Sequence, residues 1–326
     1  MNKIKKIGVL TSGGDAPGMN AAVRAVVRTG IYHNLEVYGI YSGYEGLIAN
    51  KIKLLERHSV SNIIQRGGTI LKTARSERFK TEEGMELAYQ NLKNAGIDAL
   101  VVIGGDGTFT GASIFGNKYD FPIVGCAGTI DNDLYGTDYT IGYDTALNTV
   151  VDCVDKIRDT ADSHSRLFFI EVMGRDAGFI ALYSGIAGGA EAILIPEKET
   201  HIHDLIHTLE TGWRANKCSG IIIVSEGEKE GGAFEVARKV KEKFNHYDTR
   251  VLILGHLQRG GSPTCRDRVL ASSTGYAAVK ALLKGERGVM IGVINDKISL
   301  TPFEKAIKQH PELNMKLLEM AKVLSL

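Results

Sequence analysis

Short apolar runs rich in β-branched residues alternate with longer amphipathic segments along almost the whole chain. This alternation is typical of β-α-β units and predicts parallel sheets covered by helices. The pattern predicts strands at 6–10, 37–41, 99–103, 123–126, 167–172, 192–195, 220–224, 251–254 and 289–293. It predicts helices near 21–32, 82–95, 144–159, 177–187, 204–215, 234–244 and 268–283. So many strands suit two doubly wound sheets better than one, and we predict an α/β fold with mainly parallel sheets.

The glycines gather just after predicted strands. The chain has 38 glycines, and clusters stand at 13–14, 104–107, 188–189 and 260–261. Ligands of open α/β sheets bind outside the carboxyl ends of the strands. These clusters therefore mark the predicted ligand site.

The first glycine loop, TSGGDAPGMN, lies between a predicted strand and a predicted helix. A backbone without Cβ atoms can approach phosphate oxygens closely, and a helix N-terminus adds N–H donors. A tight strand-to-helix turn would have the same sequence, and this alternative stays open. Gly13 and Gly18 have the Walker A spacing, but Met19-Asn20 stands where Lys-Ser/Thr is required. No G-x-G-x-x-G follows a strand either, which disfavours a dinucleotide dehydrogenase.

The second loop, in LVVIGGDGT, places one carboxylate among potential phosphate donors. A carboxylate there would repel phosphate unless a cation lies between them, so Asp106 indicates a Mg²⁺ bridge. The structural alternative is that the Asp106 side chain caps the next helix.

The third loop, GTIDND, carries two carboxylates two residues apart. Asp131 and Asp133 fit a pair in which one accepts the proton of a substrate hydroxyl and the other acts near Mg²⁺. An Asx-turn with solvated aspartates is the alternative interpretation. We favour the catalytic interpretation because a second acidic glycine-rich loop is predicted at a neighbouring strand end.

Cationic residues are predicted at the same strand ends. They are Arg75, Arg166, Arg175, Arg250, His256 and Arg259. The planar guanidinium of arginine binds phosphate in a bidentate manner and stays charged, so a sugar-phosphate site would use several. Any one of them alone is compatible with an ordinary surface residue.

Composition excludes several classes of partner. Lys and Arg number 39 against 38 Asp and Glu, so the formal net charge of +1 predicts no general attraction to nucleic acid or anionic lipid. The four cysteines form no C-x-x-C pair, which predicts reduced thiols. The first apolar stretch is too short for a signal peptide, and no run approaches the roughly 18 apolar residues of a membrane span. We therefore predict a cytoplasmic protein that binds neither nucleic acid nor membrane.

A series of segments occurs in the order LTSGGDAPGMNAAVRAVVR, QRGGT, TARS, VVIGGDGT, GTIDND, IRDTADSHSR, EVMGRDAG, GGAE, VSEG and LGHLQRGGSP. With this series the chain resembles the phosphofructokinase family over nearly its whole length. The resemblance implies transfer of the γ-phosphoryl group of ATP to the 1-hydroxyl of fructose 6-phosphate, a step of glycolysis, with Mg²⁺ as cofactor in a homotetramer. The implied fold has two Rossmann-like three-layer domains. Residues 1–141 plus 259–305 would bind ATP, and 142–258 plus 306–326 would bind fructose 6-phosphate.

The resemblance also implies roles for individual residues. Asp131 would take the proton of the 1-hydroxyl, and Asp106 would hold Mg²⁺ with Asp133 close to it. The other catalytic residues would be Arg75, Thr129 and Arg175. The ATP site would be lined by Gly14, Tyr44, Arg75, Ser76, Lys80, Gly104, Gly105, Asp106, Gly107 and Thr108. Fructose 6-phosphate would be bound by Thr129, Ile130, Asp131, Arg166, Met173, Gly174, Arg175, Glu226, Arg250, His256, Leu257, Gln258 and Arg259, with Arg166 and Arg250 supplied by a neighbouring subunit.

A second phosphate site for ADP or phosphoenolpyruvate is implied between subunits. Its residues would be Arg24, Ala25, Val26, Val27, Arg28, Arg57, Arg158, Gly189, Ala190, Glu191 and Lys217. The chain departs from the family at Ala215 and Cys218, where a basic residue is common, and at Ser76, where an aromatic residue is common. Arg24 and Arg28 are also what a plain solvated helix face would carry. We therefore expect regulation to be weaker than is usual for the family.

Three rival functions remain open. A pyrophosphate-dependent phosphofructokinase would carry Asp in place of Gly107 and Lys in place of Gly128, so both glycines favour ATP as donor. Lipid and NAD kinases share the strand followed by GGDGT but lack GTIDND, MGR and HLQRGG in series. An inactive nucleotide-binding regulator is disfavoured by the intact Asp106, Asp131 and Arg175.

Overall fold

The computed structural model describes residues 4–215 and 218–325. The chain divides into two compact units. Unit 1 comprises Met1–Thr145 and Arg259–Pro311, and unit 2 comprises Ala146–Gln258 and Glu312–Leu326.

Strands and helices are numbered along the chain. The strands are β1 (Lys6–Thr11), β2 (Glu36–Ile40), β3 (Ile52–Leu55), β4 (Ala99–Gly104), β5 (Ile123–Ala127), β6 (Arg166–Val172), β7 (Ala192–Leu194), β8 (Gly220–Ser225), β9 (Asp248–Ile253), β10 (Val289–Ile294) and β11 (Lys297–Pro302). The helices are α1 (Met19–Tyr32), α2 (Gly43–Ile48), α3 (Glu82–Ala95), α4 (Asp106–Tyr119), α5 (Tyr143–His164), α6 (Phe179–Ala187), α7 (Ile202–Arg214), α8 (Gly232–Lys243), α9 (Cys265–Leu283), α10 (Phe303–Lys308) and α11 (Met315–Leu324). Within the described residues, no helix is both long and apolar enough to cross a membrane.

Unit 1 is built on a seven-stranded sheet in the order β11-β10-β5-β4-β1-β2-β3. The five central strands pair in parallel, and the edge strands β3 and β11 pair antiparallel with their neighbours. From β1 the chain adds β2 on one side and β4 on the other. The gap between β1 and β4 is therefore a topological switch point, where open α/β sheets bind their ligands.

Helices cover both faces of the unit 1 sheet. Leu100 and Val102 of β4 belong to a buried cluster that includes residues of α2, α3, α4 and α10. Their neighbours Val101 and Ile103 are also fully buried but point to the opposite face, because side chains alternate along a strand. Helices α1 and α9 pack against each other and against β4 and β5, on the opposite face from that cluster. Unit 1 thus has three layers.

Unit 2 is built on a four-stranded sheet in the order β7-β8-β6-β9, and all its pairs are parallel. Leu167 and Phe169 of β6 and Ile222 of β8 pack in a buried cluster with residues of α7 and α8. Both units therefore carry mainly parallel sheets with helical layers. The predicted α/β class with Rossmann-like layers is confirmed.

The sequence pattern misses two strands, β3 and β11, and four helices, α2, α4, α10 and α11. Glycines weaken the helical pattern of α4, which is stabilised by burial of Phe109, Ala112 and Phe115. Asn295 and Asp296 both have positive φ, 49° and 60°, and form the tight turn that joins β10 to β11. Strand β9 begins three residues earlier than predicted, because polar residues are tolerated in an edge strand.

Candidate active site

Three loops meet at the carboxyl edge of the unit 1 sheet. They follow β1, β4 and β5, which are adjacent in the sheet, and they begin after Thr11, Gly104 and Ala127. Parallel strands end at the same edge, so the loops lie side by side. The prediction that the two acidic loops follow neighbouring strands is confirmed.

The first and second loops pack against each other so closely that there is no room for a side chain at Gly104. Thr108 Oγ1 donates a hydrogen bond to the carbonyl of Ser12 at 3.1 Å. A Cβ atom on Gly104 would lie 2.3 Å from Thr108 Oγ1 and 2.5 Å from the Ser12 carbonyl oxygen. Thr73 Oγ1 donates to the carbonyl of Gly13 at 2.7 Å. Two carbonyls of the first loop therefore have fixed partners, which holds its backbone in one conformation.

Asp106 is the first residue of helix α4, and no side chain caps that helix. The alternative that the Asp106 side chain caps the helix is therefore wrong, because Gly105 occupies the capping position. Asp106 Oδ1 is buried and has no hydrogen-bond partner in the part of the chain that the structure describes. A buried carboxylate oxygen without a partner is costly unless a cation or a donor meets it. The helix N-terminus also favours an acidic residue at this point.

The donor set at the loops fits a magnesium ion. Among residues 4–215 and 218–325, no group of three or more His, Cys, Asp or Glu could hold a metal by itself. Mg²⁺ is commonly held by one or two carboxylates together with substrate phosphates and water. Asp106, with its open oxygen, and the half-buried Asp133 in the adjacent loop supply that number of carboxylates.

Asp131 in the third loop is only 3% exposed. Its N–H donates to Thr129 Oγ1 at 3.2 Å. Asn132 has a φ of 55°, and its Oδ1 accepts from the N–H of Thr140 at 2.8 Å, eight residues later. The alternative of solvated aspartates is wrong for Asp131, because this residue is buried.

Two cations lie at or near these loops. A Cβ on Gly14 would lie 2.5 Å from Arg259 Nη1, and this nitrogen donates to the carbonyl of Asp15 at 3.2 Å. Arg75 is exposed, and its guanidinium forms no ion pair or hydrogen bond with any residue that the structure describes. Positive charge is thus available next to the first loop in unit 1.

The other residues predicted for the ATP site have different surroundings. Tyr44 is buried, its hydroxyl donates to the carbonyl of Thr108 at 2.6 Å, and burial raises its pKa. Tyr44 therefore stabilises the second loop through this hydrogen bond. Ser76 Oγ donates to Glu45 at 2.6 Å. Lys80 is exposed and pairs with Glu77 at 2.8 Å.

Unit 2 presents a second set of turns, at the carboxyl ends of β6, β8 and β9. Glu226 Oε1, just after β8, accepts hydrogen bonds from the N–H groups of Gly174 at 3.3 Å and Arg175 at 2.8 Å. His256 and Leu257 are exposed in the 3-10 turn after β9. The side chains predicted to bind the sugar from this unit therefore include three exposed groups, those of Arg175, Glu226 and His256.

Arg166 and Arg250 lie elsewhere in unit 2. Arg166 is the first residue of β6, Arg250 is the third residue of β9, and both pair with Asp248, at 3.0 and 2.6 Å. The prediction that they lie at a carboxyl strand end with Arg175 is wrong, because Arg166 is about 20 Å from the carboxyl end of β6 and Arg250 lies inside β9, three residues before Ile253.

The residues predicted for the effector site come from both units. Arg24 is half-buried and Arg28 is exposed one turn later on α1, and burial followed by the charge of Arg28 lowers the pKa of Arg24. Ala25, Val26 and Val27 are buried, so their side chains do not reach a surface ligand. The same holds for Ile130 in the third loop and for Ala190 in unit 2.

In unit 2, Arg158 Nη2 donates to the carbonyls of Gly188 and Gly189, the latter at 2.8 Å. Its Nη1 lies 3.9 Å from Glu191 Oε1. Lys217 lies outside the described residues.

The phosphofructokinase family model matches residues 6–282 of the chain. The chain belongs to the phosphofructokinase family. A curated relative from Bacteroides thetaiotaomicron, ATP-dependent 6-phosphofructokinase 2, is 59% identical over 326 residues, which are 100% of this chain and 100% of the relative. The family predicted from the sequence is confirmed, and a lipid or NAD kinase is set aside.

Solved structures of other phosphofructokinases have the same fold. The structure of phosphofructokinase from Saccharomyces cerevisiae matches with a TM-score of 0.89 and 41% identity, over 93% of this chain and 45% of the yeast chain. A pyrophosphate-dependent phosphofructokinase from Marinobacter aquaeolei matches with a TM-score of 0.84 and 22% identity, over 98% of this chain and 91% of the other. The fold is therefore shared by proteins named for different phosphoryl donors.

Sequence reasoning missed several residues that shape the site of this phosphofructokinase family member. Thr73 lies in the TARS segment, but its bond to the first loop depends on the tertiary fold. Asp267 in α9 is fully buried and accepts from Gly142 N at 2.9 Å, Thr145 N at 2.8 Å and Thr145 Oγ1 at 2.5 Å. Burial raises the pKa of Asp267 to about 6. Its local sequence, CRDR, resembles a solvated helix start and gives no signal of this role.

Proposed function

We propose that this chain is an ATP-dependent 6-phosphofructokinase. It transfers the γ-phosphoryl group of ATP to the 1-hydroxyl of fructose 6-phosphate and releases ADP and fructose 1,6-bisphosphate. The observation that carries the proposal is the pair of acidic loops at the switch point of unit 1, one with the open oxygen of Asp106 and one with the buried Asp131. A phosphoryl-transfer site needs these two functions, a metal ligand and a proton acceptor.

Each of these residues has a separate task in the reaction. Asp131 accepts the proton of the 1-hydroxyl as that oxygen attacks the γ-phosphorus. Thr129 holds the third loop by accepting the N–H of Asp131. Asp106, with Asp133 nearby, would hold Mg²⁺, which neutralises charge on the phosphates when bound. Arg75 and the N–H groups of the first two loops position the phosphates.

The two units take different substrates in this proposal. Unit 1 binds ATP through its glycine-rich loops, and unit 2 binds the sugar phosphate through Arg175, Glu226 and His256. Arg259 belongs to unit 1 and adds positive charge next to the first loop. Phosphoryl transfer requires little covalent chemistry from the protein, so positioning and charge neutralisation supply most of the rate.

We further propose that the enzyme is a homotetramer with shared sites. Arg166 lies at the amino end of β6, about 20 Å from the turn after that strand, so it cannot serve that turn in the same chain. Arg250, inside β9, pairs with the same aspartate, and both arginines would bind the sugar phosphate in the site of a neighbouring subunit. Asp248 holds the pair together.

ATP is the phosphoryl donor because both donor-selective positions are small. Gly107 is exposed, and a Cβ atom there would have no neighbour within 4 Å. A Cβ on Gly128 would lie 3.1 Å from Ile103 Cγ2 and 3.2 Å from Met19 Cε. An alanine at 107 therefore fits freely, whereas an aspartate adds negative charge beside the phosphates.

The test is a coupled assay of fructose 6-phosphate with ATP, with pyrophosphate or with neither. We expect turnover with ATP alone. In the same assay, Gly107→Asp should lose ATP turnover by about tenfold or more because one added charge repels the triphosphate. Gly107→Ala is the matched control and should retain activity. Turnover with pyrophosphate equal to that with ATP would contradict the donor, and no turnover with either would support an inactive regulator.

We also propose that the protein is cytoplasmic and is regulated by an anionic effector. All four cysteines are thiols, which suits a reducing cytoplasm. ADP or phosphoenolpyruvate acts through an anion site that uses Arg24, Arg28 and Arg57. The guanidinium groups of these three arginines form no ion pair or hydrogen bond within residues 4–215 and 218–325, so they are available to an anionic effector.

A further inference from the structure

The side-chain amide of Gln258 joins two turns that come from different strands of unit 2. Gln258 is fully buried, with 0% exposure. Its Oε1 accepts the N–H of Met173, just after β6, at 3.1 Å. Its Nε2 donates to the carbonyl of Gly255, after β9, at 3.1 Å. Both polar ends of a side chain that cannot touch solvent are therefore used by the backbone.

Glutamine is the side chain that this position requires. It offers an acceptor to one turn and a donor to the other, and it carries no charge into a buried site. A glutamate anion would place a second acceptor against the carbonyl of Gly255. A leucine would leave one N–H and one C=O unsatisfied, which costs more than the bonds themselves contribute.

The turn held by Gln258 has an unfavourable backbone. Gly174 has a φ of 141° and Arg175 a φ of 53°. The left-handed region is energetically unfavourable for a non-glycine residue such as Arg175. The three successive N–H groups of this turn all donate to side-chain oxygens, the first to Gln258 and the next two to Glu226. These two side chains therefore hold Arg175 in the conformation that presents its guanidinium.

We propose that Gln258 is a positioning residue for the sugar phosphate and not one of its ligands. It acts through Met173 and Gly255, and so fixes the turn of Arg175 relative to the turn of His256. This inference rests on the proposed function for its kinetic consequence, but its structural part does not. It differs from the expectation, drawn from the family resemblance, that Gln258 itself binds fructose 6-phosphate.

The first test is hydrogen exchange in the intact enzyme without substrate. In Gln258→Leu, the amide of Met173 should exchange about tenfold faster or more than in the wild type, because its acceptor is removed. Gln90→Leu is the matched control, since Gln90 is exposed on α3 and its side chain donates to Glu86 on the same helix. Unchanged exchange at Met173 would overturn the proposal. This measurement is independent of whether the enzyme phosphorylates fructose 6-phosphate.

The second test separates positioning from a general loss of structure. Gln258→Leu should raise the KM for fructose 6-phosphate by about tenfold while the KM for ATP stays within about twofold. Gln258→Glu should regain sugar affinity as the pH falls, because a protonated carboxyl can again donate to Gly255 and accept from Met173. An equal rise of both KM values, or a pH profile of Gln258→Glu parallel to that of the wild type, would overturn the proposal. Faster exchange at Met173 in Gln258→Leu together with no turnover of fructose 6-phosphate by the wild type would instead contradict the proposed function and leave the structural part intact.

Discussion

The carboxyl edges of the two sheets organise their turns by different means. In unit 1 the loops after β1 and β4 pack together through threonine hydroxyls and the absence of a side chain at Gly104, and the second and third loops carry the buried or half-buried carboxylates Asp106, Asp131 and Asp133. In unit 2 the turns are held by the side chains of Glu226 and Gln258, and the exposed side chains include Arg175 and His256. Carboxylates suit a site that meets phosphate through a metal, and cations suit a site that meets phosphate directly. The difference in charge is therefore what the proposed division of ATP and sugar phosphate between the two units would require.

The largest expected effect is on the unit 1 edge, at Asp131. Asp131→Asn should lower kcat by about 10² to 10⁴-fold, the usual worth of a general base, while the KM for fructose 6-phosphate changes little. Steady-state kinetics measure both constants. Asp120→Asn is a suitable control, because Asp120 is an exposed residue paired with Arg287. A kcat within a few-fold of the wild type would end the assignment and remove the chemical distinction between the two edges.

A second prediction concerns Asp267, which anchors the segment after the third loop. Its pKa is raised to about 6, so the folded protein binds a proton that the unfolded chain has released. The contribution of Asp267 to the free energy of unfolding is therefore greatest below the usual pKa of an aspartate. This contribution falls by about 3 kcal/mol in total as the pH rises through about 6. Thermal unfolding of the wild type and Asp267→Asn at pH 4.5, 5.5 and 7 isolates this effect. A difference in Tm between the two proteins that does not depend on pH would contradict it.

Much of the unit 1 edge could be predicted from the sequence. The glycines and the carboxylates of GGDGT and GTIDND are local signals, because a buried strand and a close phosphate each demand particular residues at particular offsets. Helix α4 was not predicted, because its glycines interrupt the apolar pattern to which Phe109 and Phe115 belong. Its stability comes from tertiary burial. The roles of Thr73 and Asp267 depend on segments far apart in the chain, which no local pattern encodes.

The unit 2 edge was predicted less well. The arginines were recognised by residue type, but whether an arginine stands at the amino or the carboxyl end of a strand depends on where the strand begins. β6 begins at Arg166, which places this arginine at the amino end of the strand, and β9 begins at Asp248, which places Arg250 inside the strand and not at its carboxyl end. Gln258 was expected to be a ligand because the family resemblance implied it, and only the fold reveals its burial.

A third prediction uses the position of Arg166. If this residue serves a neighbouring subunit, mixing Asp131→Asn chains with Arg166→Ala chains should restore activity at about a quarter of the sites, because some hybrid sites contain neither defect. Activity after verified subunit exchange is the measurement. Mixing Asp131→Asn with a chain that carries both substitutions is the matched control and should restore nothing. Failure of the first mixture to recover would mean that each site is built within one chain.

The smallest expected effect is regulatory and concerns the arginines of α1. Arg24 and Arg28 lie one turn apart, and burial followed by the charge of Arg28 lowers the pKa of Arg24, two effects that a bound anion would offset. Ala215 and Cys218 supply no positive charge to such a site. We therefore expect ADP or phosphoenolpyruvate to shift the half-saturation for fructose 6-phosphate by less than about fivefold, below the usual range of allosteric coupling.

Saturation curves for fructose 6-phosphate, with and without each effector, measure this coupling. Arg24→Ala should abolish the shift without changing kcat, because the anion loses a partner that has no other described ion pair. Arg158→Ala should weaken it as well, although Arg158 is already bonded to Gly188 and Gly189 and contributes partly by holding that turn. Arg238→Ala, which removes an exposed arginine paired with Glu235, should leave the shift intact. If neither effector moves the wild-type curve, the anion site has lost its function, and Arg24 and Arg28 belong to an ordinary helix surface.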